Sequence, residues 1–297
     1  MRPLIALAAL LLAIPLLATP AQAAPAQAAP ATLPSAPTSD SSPDAPVPGL
    51  LPPGVNDWSC RSRSRPVPLV LVHGTFANAL DNWFATVPAL RRAGHCVYAF
   101  NYGGAPNAFI QGTGDITISA RQLAAFVTQV KTATGADKVD LVGHSQGGMM
   151  PRYYLKNLGG AAHVRHLVGI APSNAGTDLF GLTELAERFG IVDLGAYVCY
   201  SCYQQVKGSD FLTALNAGGQ TEPGVAYTTI VTKYDEIVTP YRSQFLTGDN
   251  VTNILLQDVC PRAIAEHGVI VASPVTHQLV ANALAPEDQQ KPVRCLF

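Results

Sequence analysis

Three residues able to build an activated oxygen nucleophile are spread along this chain: Ser145, Asp235 and His267. The serine lies in Gly143-His144-Ser145-Gln146-Gly147, directly after the apolar run Lys138-Val139-Asp140-Leu141-Val142 and before a helical pattern. Between a strand and a helix, G-x-S-x-G makes a sharp turn that holds the serine in a strained conformation and lifts its hydroxyl clear of the sheet. Glycine is required on either side because side chains there would collide with the neighbouring strand and helix, and Gly148 extends the same close approach. Ser145 then stands at a helix N-terminus. The free amide of Gln146 faces any oxyanion formed by attack on a carbonyl. An ordinary glycine-rich turn carrying a solvated serine has the same five residues, so the pentapeptide is weighed with what accompanies it.

A serine hydroxyl is a poor nucleophile near neutral pH. It needs a base, and the base needs an orienting carboxylate. In a strand-turn-helix setting the order is serine, then acid, then histidine, with the acid just after a later strand. Tyr227 to Thr232 reads as such a strand, and Lys233-Tyr234-Asp235-Glu236-Ile237-Val238 follows it. Asp235 is the first candidate and Glu236 the next; a solvated loop carboxylate is the plain alternative. His267 and His277 lie downstream. His267 falls in the loop Ala265-Glu266-His267-Gly268, whereas His277 falls inside a predicted helix, so His267 is taken as the base. A second oxyanion donor is expected from Val70-Leu71-Val72-His73-Gly74-Thr75-Phe76, which ends an earlier strand in a His-Gly turn. Thr75 is the candidate there, with its hydroxyl as an extra donor. His73 precedes the serine and is read as structural. His95, His163 and His166 are read as surface residues.

These residues need a frame that brings them to one edge. Short runs rich in Val, Ile and Leu at Val67 to Val72, Val97 to Phe100, Val139 to Val142, His166 to Ala171, Tyr227 to Thr232 and Asn253 to Gln257 read as strands covered on both faces. Between them, Asp115 to Lys131 carries apolar residues at a helical period and is followed by Gly135 as a terminator. Gln146 to Leu158 is helical up to Gly159-Gly160, and Pro274 to Leu284 suits a helix with Pro in its first turn. The alternation predicts an α/β fold with a mostly parallel central sheet and helices on both faces. Asn174 to Gly224 breaks the rhythm with short helical patterns such as Leu182 to Phe189 and Asp210 to Asn216. It reads as a small cap-like insertion over the sheet's carboxyl edge, and its Leu179, Phe180, Leu182, Phe189, Ile191 and Val192 would suit acyl chains or simply core packing.

Composition narrows what such a frame could serve. The 297 residues are 48% hydrophobic and 13% charged, enough apolar content to bury a sizeable core. A net charge of -1 gives no electrostatic footprint for nucleic acid or anionic lipid. Arg2, the apolar run Leu4 to Leu17 and Ala21-Gln22-Ala23 read as a cleaved secretory signal over residues 1–23; the run is shorter than the ~20 residues of a spanning helix. No transmembrane segment is expected in the mature chain. Ala24 to Pro53, rich in Ala and Pro, reads as a disordered linker or pro-segment, and the folded domain is expected over 54–297. In an exported chain the even set Cys60, Cys96, Cys199, Cys202, Cys260 and Cys295 suggests three disulfides. A local Cys199–Cys202 bridge is preferred over a zinc half-site, since no second C-x-x-C faces it; the other pairings stay open. No metal-ligand spacing appears, so no cofactor is expected.

Taken together, Val72-His73-Gly74-Thr75, Gly143-His144-Ser145-Gln146-Gly147-Gly148, Tyr234-Asp235-Glu236-Ile237-Val238-Thr239-Pro240 and the Val259-Cys260 to His267 segment resemble the secreted actinobacterial-type triacylglycerol lipases of the α/β-hydrolase superfamily. The chain is also similar to the yeast lipase B type, which lacks a glycine where this sequence has Gly143. The resemblance runs roughly from Cys60 to Cys295. It implies an α/β-hydrolase fold, Ser145 as nucleophile, Asp235 as orienter, His267 as base, and Thr75 and Gln146 as oxyanion donors. It implies Cys60–Cys96 and Cys260–Cys295 bridges, which leaves Cys199 with Cys202. The expected function is hydrolysis of lipid esters by a secreted serine hydrolase, with an oil–water interface as one place to meet the substrate, no nucleic-acid partner, and a monomer favoured over an assembly. A short-chain esterase or polyester depolymerase would use the same three residues. A catalytically dead, exported binding protein of the same fold is the reading from another class.

Overall fold

The computed structural model describes residues 42–178 and 199–295, whose elements all belong to the unit Ser41–Phe297. Strands β1 (Leu69–Val72), β2 (Val97–Ala99), β3 (Val139–His144), β4 (Val164–Ile170), β5 (Ala226–Val231) and β6 (Val251–Leu255) form one sheet. Their order is β2-β1-β3-β4-β5-β6, and each neighbouring pair is parallel. Each strand expected from an apolar run is present. The last begins earlier than expected and stops at Leu255, because Leu256 and Gln257 already belong to a short helix. There the Gln257 amide ties two loops together: it donates to Thr232 Oγ1 at 3.0 Å and to the Ala263 carbonyl at 2.9 Å.

The described helices are α1 (Ala79–Trp83), α2 (Thr86–Arg92), α3 (Ile116–Thr134), α4 (Gln146–Asn157), α5 (Tyr200–Gln204), α6 (Asp210–Asn216), α7 (Leu256–Val259) and α8 (Pro274–Ala283). The long ones follow their sequence signals. Asp115 caps α3 through Thr117 N at 2.7 Å, Gly135 ends it in the left-handed region at φ 72, and Pro274 opens α8. α1 and α2 are too short for a helical period to register, although Asn78 and Asp81 form a reciprocal capping box for α1.

Strand residues alternate between two cores. Val70, Val72 and Leu141 join Leu123, Phe126 and Met149 of α3 and α4 on one face. Leu69, Leu71 and Val142 join Trp83, Val87, Leu90 and Leu279 of α1, α2 and α8 on the other. Burial on both faces is why strands such as β1 and β2 read as unbroken apolar runs, whereas the edge strand β6 is partly exposed. The chain leaves β1 for β2 on one side and then crosses to β3 on the other. The crevice between the carboxyl ends of β1 and β3 is therefore a topological switch point, where open parallel sheets place their ligands. Leu71 pairs with Val142 and Val72 with Gly143. That register sets the loop after Val72 beside the turn after His144.

Cys60 is bonded to Cys96, Cys199 to Cys202 and Cys260 to Cys295. The first bridge ties the segment before β1 to the start of β2 across a separation of 36 residues. Closing a loop of that size in the unfolded chain is worth about 4 kcal/mol. Cys60→Ala/Cys96→Ala is expected to lose roughly that much, measured by urea unfolding. Upstream, residues 42–53 contact the sheet and α3: Val47 bridges to Asn101, Asn101 Nδ2 donates to the Leu50 carbonyl at 3.1 Å, and Gln122 Nε2 donates to the Pro43 carbonyl at 3.0 Å. The patterns at Leu182 to Phe189, and the apolar side chains from Leu179 to Val192, lie outside the described residues. Among the described residues no helix is long and apolar enough to cross a membrane.

Candidate active site

Ser145 occupies the bend between β3 and α4 with φ 55 and ψ -121, a region L-residues rarely enter. The flanking glycines permit the bend. A Cβ on Gly143 would stand 1.7 Å from the Gly147 carbonyl oxygen, and one on Gly147 would stand 2.1 Å from the Val72 carbonyl oxygen. The turn therefore packs backbone on backbone against both α4 and β1.

Asp235 follows β5 in a tight loop that engages its whole carboxylate. Oδ1 accepts from the amides of Ile237 at 3.0 Å and Val238 at 2.7 Å. Oδ2 accepts from Gln244 Nε2 at 3.0 Å and pairs with His267 Nδ1 at 2.8 Å. The neighbouring candidate, Glu236, takes a different place: its Oε2 accepts from the His267 backbone amide at 3.3 Å. Glu266 accepts from the amides of Gly268 and Val269, both at 2.8 Å, so the loop bearing the imidazole is held from two sides. His277 lies apart on α8, where Nε2 bonds the Val271 carbonyl at 2.8 Å.

Ser145 and His267 line one cavity of about 480 Å³, together with Thr75, Gln205, Ile237 and Val238. Among the described residues no hydrogen bond joins Ser145 Oγ to the His267 ring. In the unliganded state such contacts are commonly long and tighten when substrate binds. The backbone amides of Thr75 and Gln146 donate to no acceptor among the described residues. The Thr75 hydroxyl is committed elsewhere: it donates to Gln146 Oε1 at 2.6 Å. The Gln146 side chain thus holds the proton of the hydroxyl expected as an extra oxyanion donor.

His73 and His144 stand beside this site without joining the Asp235–His267 hydrogen bond. The His73 ring stacks on Tyr102 with centroids 4.1 Å apart, and its Nδ1 meets the Gly74 carbonyl at 2.8 Å. His144 Nε2 meets the His267 carbonyl at 3.0 Å and Nδ1 meets Asn82 Oδ1 at 3.0 Å. Burial, then the neighbouring His267, pushes His144 down to about 3, so it stays uncharged beside the His267 ring. Two of the histidines read as surface residues are placed differently. His95 is 5% exposed, and His166 is half-buried with Nε2 at 2.9 Å from Thr228 Oγ1; both sit toward the amino edge of the sheet, just before β2 and early in β4. His163 is exposed, as expected.

Burial lowers His73, His95 and His166 to about 4 and His144 to about 3. Below pH 6.5 the unfolded chain binds protons at these four residues while the folded chain does not. Stability is therefore expected to be full above pH 6.5 and to fall steadily toward pH 4. Urea midpoints measured from pH 7 to 4.5 check this; a flat profile between pH 6.5 and 5 would contradict it.

The family pattern described as lipase (class 2) matches residues 66–280. The chain belongs to the class 2 lipases. A triacylglycerol lipase of Pseudarthrobacter phenanthrenivorans is 43% identical over 91 residues, covering 29% of this chain and 27% of that protein. One from Burkholderia plantarii is also 43% identical over 91 residues, covering 29% and 24%. The match thus spans about a quarter of the length of these relatives. In three dimensions the chain resembles Aspergillus fumigatus lipase B, with TM-score 0.63, 21% identity and coverage of 82% of this chain and 56% of that one. It also resembles the mature form of Bacillus licheniformis lipase BlEst2, with TM-score 0.60, 16% identity and coverage of 77% and 95%. At such identities the likeness is one of fold, and the fold is that of the α/β-hydrolases.

In this family member, sequence reasoning misses the polar residues that hold the candidate site in shape. Asn82 Oδ1 accepts from the Gly74 amide at 3.0 Å and so fixes the turn before Thr75. Gln205, just past α5, donates from Nε2 to Thr75 Oγ1 at 2.9 Å and to Gln146 Oε1 at 3.3 Å, and its Oε1 accepts from Ser173 Oγ at 2.8 Å. The only hint in the sequence is a pair of glutamines just after the Cys199–Cys202 motif. Gln205 hydrogen-bonds both candidate oxyanion residues, Thr75 and Gln146, and is expected to position them. Gln205→Leu is expected to lower kcat by roughly tenfold to a hundredfold, below the cost of deleting an oxyanion donor outright, with KM little changed. Steady-state kinetics check this split; an unchanged kcat would contradict it.

Proposed function

We propose that this chain hydrolyses carboxylic esters of lipids through an acyl-enzyme on Ser145, with His267 as base and Asp235 as its orienter. The observation that carries the reading is the Asp235–His267 pair, at 2.8 Å, opening onto the same cavity as Ser145. Ser145 Oγ attacks the ester carbonyl carbon as its proton passes to His267 Nε2. The carbonyl oxygen becomes an oxyanion and accepts from the backbone amides of Thr75 and Gln146, the latter at the N-terminus of α4. The carbonyl re-forms, the C–O bond to the alcohol breaks, and His267 returns its proton to the leaving oxygen. Water then attacks the acyl-enzyme by the same route, releasing the acid and restoring Ser145.

The mostly apolar wall, with Phe76, Ala77, Ile237, Val238 and Val271, favours an acyl chain over a charged substrate. Membership of the class 2 lipases and the partial likeness to triacylglycerol lipases support the same substrate class. The amino-terminal pattern and the three disulfides support secretion. The test compares rates on tributyrin, a long-chain triglyceride, a soluble p-nitrophenyl ester and a polyester film. Turnover of emulsified triglycerides is expected. Turnover of short soluble esters alone would remove lipids from the reading, and no turnover of any ester would leave the fold as a binding scaffold. Mass spectrometry of the N-terminus in culture supernatant tests export.

A further inference from the structure

A second cavity, of about 120 Å³, lies at the amino edge of the sheet, opposite the edge that carries Ser145. Arg65, His95, Asp140 and Arg165 form its polar wall, with Leu284 and Pro286 closing one side. His95 is 5% exposed, and neither of its ring nitrogens has a hydrogen-bond partner among the described residues. Arg65 Nη1 is likewise buried without an acceptor. The Asp140 carboxylate does not serve them, because Arg165 occupies it from both sides. Arg165 Nε donates to Oδ1 at 2.9 Å, and Nη2 donates to Oδ2 at 2.5 Å and to the Leu284 carbonyl at 3.0 Å.

Two guanidinium groups thus meet one carboxylate, leaving one positive charge in excess. A buried guanidinium N–H and a buried imidazole without acceptors carry a desolvation cost that a suitable partner removes. Burial first, and then the charges of Arg65 and Arg165, push His95 down to about 4, in keeping with a positive potential inside the cavity. At pH 7 the ring is neutral and offers one N–H donor. Guanidinium and imidazole N–H groups are the donors that bind tetrahedral oxyanions. A water molecule claims about 30 Å³ in the liquid, so the space suits a small ion and excludes a lipid.

We propose that this cavity binds a small inorganic oxyanion of the phosphate or sulfate class, held by Arg65 and His95 with Arg165 as the flanking charge. The ion would join the segment before β1, the start of β2 and β4, and so stabilise the fold from the side away from the Ser145 cavity. Neither Arg65 nor His95 lines the Ser145 cavity, so the proposal stands apart from the reading of that site.

The test is the thermal unfolding midpoint of the full-length folded chain, titrated with inorganic phosphate against sodium chloride at matched ionic strength. A ligand that binds only the folded state at tenfold over its Kd raises the midpoint of a chain this size by about 3 °C. A saturable rise of that kind is expected in the wild type and is expected to vanish in Arg65→Met, with ester hydrolysis unchanged. His95→Leu removes the second donor, is expected to weaken phosphate at least about tenfold, and carries the test if Arg65→Met does not fold. No rise in the wild type, an equal rise with chloride, or an undiminished rise in the variants would overturn the proposal and leave the cavity to water.

Discussion

Ser145→Ala is expected to lower kcat for ester hydrolysis by on the order of 10⁵ to 10⁶, leaving only the residual rate of a binding pocket with oxyanion donors. The substitution removes the attacking oxygen and little else. Ser145 makes no side-chain cap to α4, and its backbone conformation is set by the packing of Gly143, Gly147 and Gly148. The urea midpoint is therefore expected to stay at the wild-type value while activity disappears. Residues acting as one unit are not additive. Adding His267→Ala to Ser145→Ala should cost almost nothing more, and a further large loss would show that the two act separately.

The second large effect is expected at Asp235. Asp235→Asn keeps the shape of the loop, since the amide oxygen can still accept from Ile237 and Val238. The amide nitrogen then falls where Oδ2 accepts from Gln244 and pairs with His267. It can donate to Nδ1 but not accept from it, so the imidazole is driven to carry its proton on Nε2. That nitrogen must be free to take the Ser145 proton. A loss of about 10⁴ in kcat is expected from the wrong tautomer. Glu236→Gln is the internal comparison: among the described residues the Glu236 side chain accepts one hydrogen bond, from the backbone amide of His267, so less than about tenfold loss is expected. Steady-state kinetics of the two variants decide which carboxylate orients the base. A larger loss at Glu236 would contradict the assignment.

The parts of this site visible in the sequence are those that local backbone geometry dictates. Gly143 and Gly147 are needed because a Cβ at either would strike backbone atoms, and such a requirement leaves a mark in consecutive residues. The inner strands show for a related reason, since a run buried on both faces is largely apolar, whereas the edge strand β6 has Thr252 and Asn253 exposed and its limits are offset from the expected ones. Asp235 is legible as a candidate because the acid is expected after a strand, and the carboxyl ends of β1, β3 and β5 share one edge. What escapes is the polar scaffolding. Gln205 meets Thr75 across 130 positions of chain, and Asn82 meets His144 across 62. Neither contact has a period or a turn to announce it. His95 escapes for the opposite reason: its lack of a partner pattern in the sequence suggests a surface residue, yet it is buried with both ring nitrogens unpaired among the described residues, in keeping with a cavity that would take its partner from solution. Among the described residues of the insertion, Asp210 to Asn216 is a short helix whose limits match the sequence pattern, with Ser209 capping it through Leu212 N at 3.3 Å.

The most direct measurement is covalent capture of the nucleophile by a fluorophosphonate. The folded chain is incubated with the probe, digested, and mapped by mass spectrometry. A single adduct on Ser145 is expected, forming at a rate that falls sharply in Asp235→Asn and absent in Ser145→Ala. A folded wild-type chain that takes no label, or takes it on another residue, would contradict the claim that the elbow serine is activated by the histidine at the same edge of the sheet.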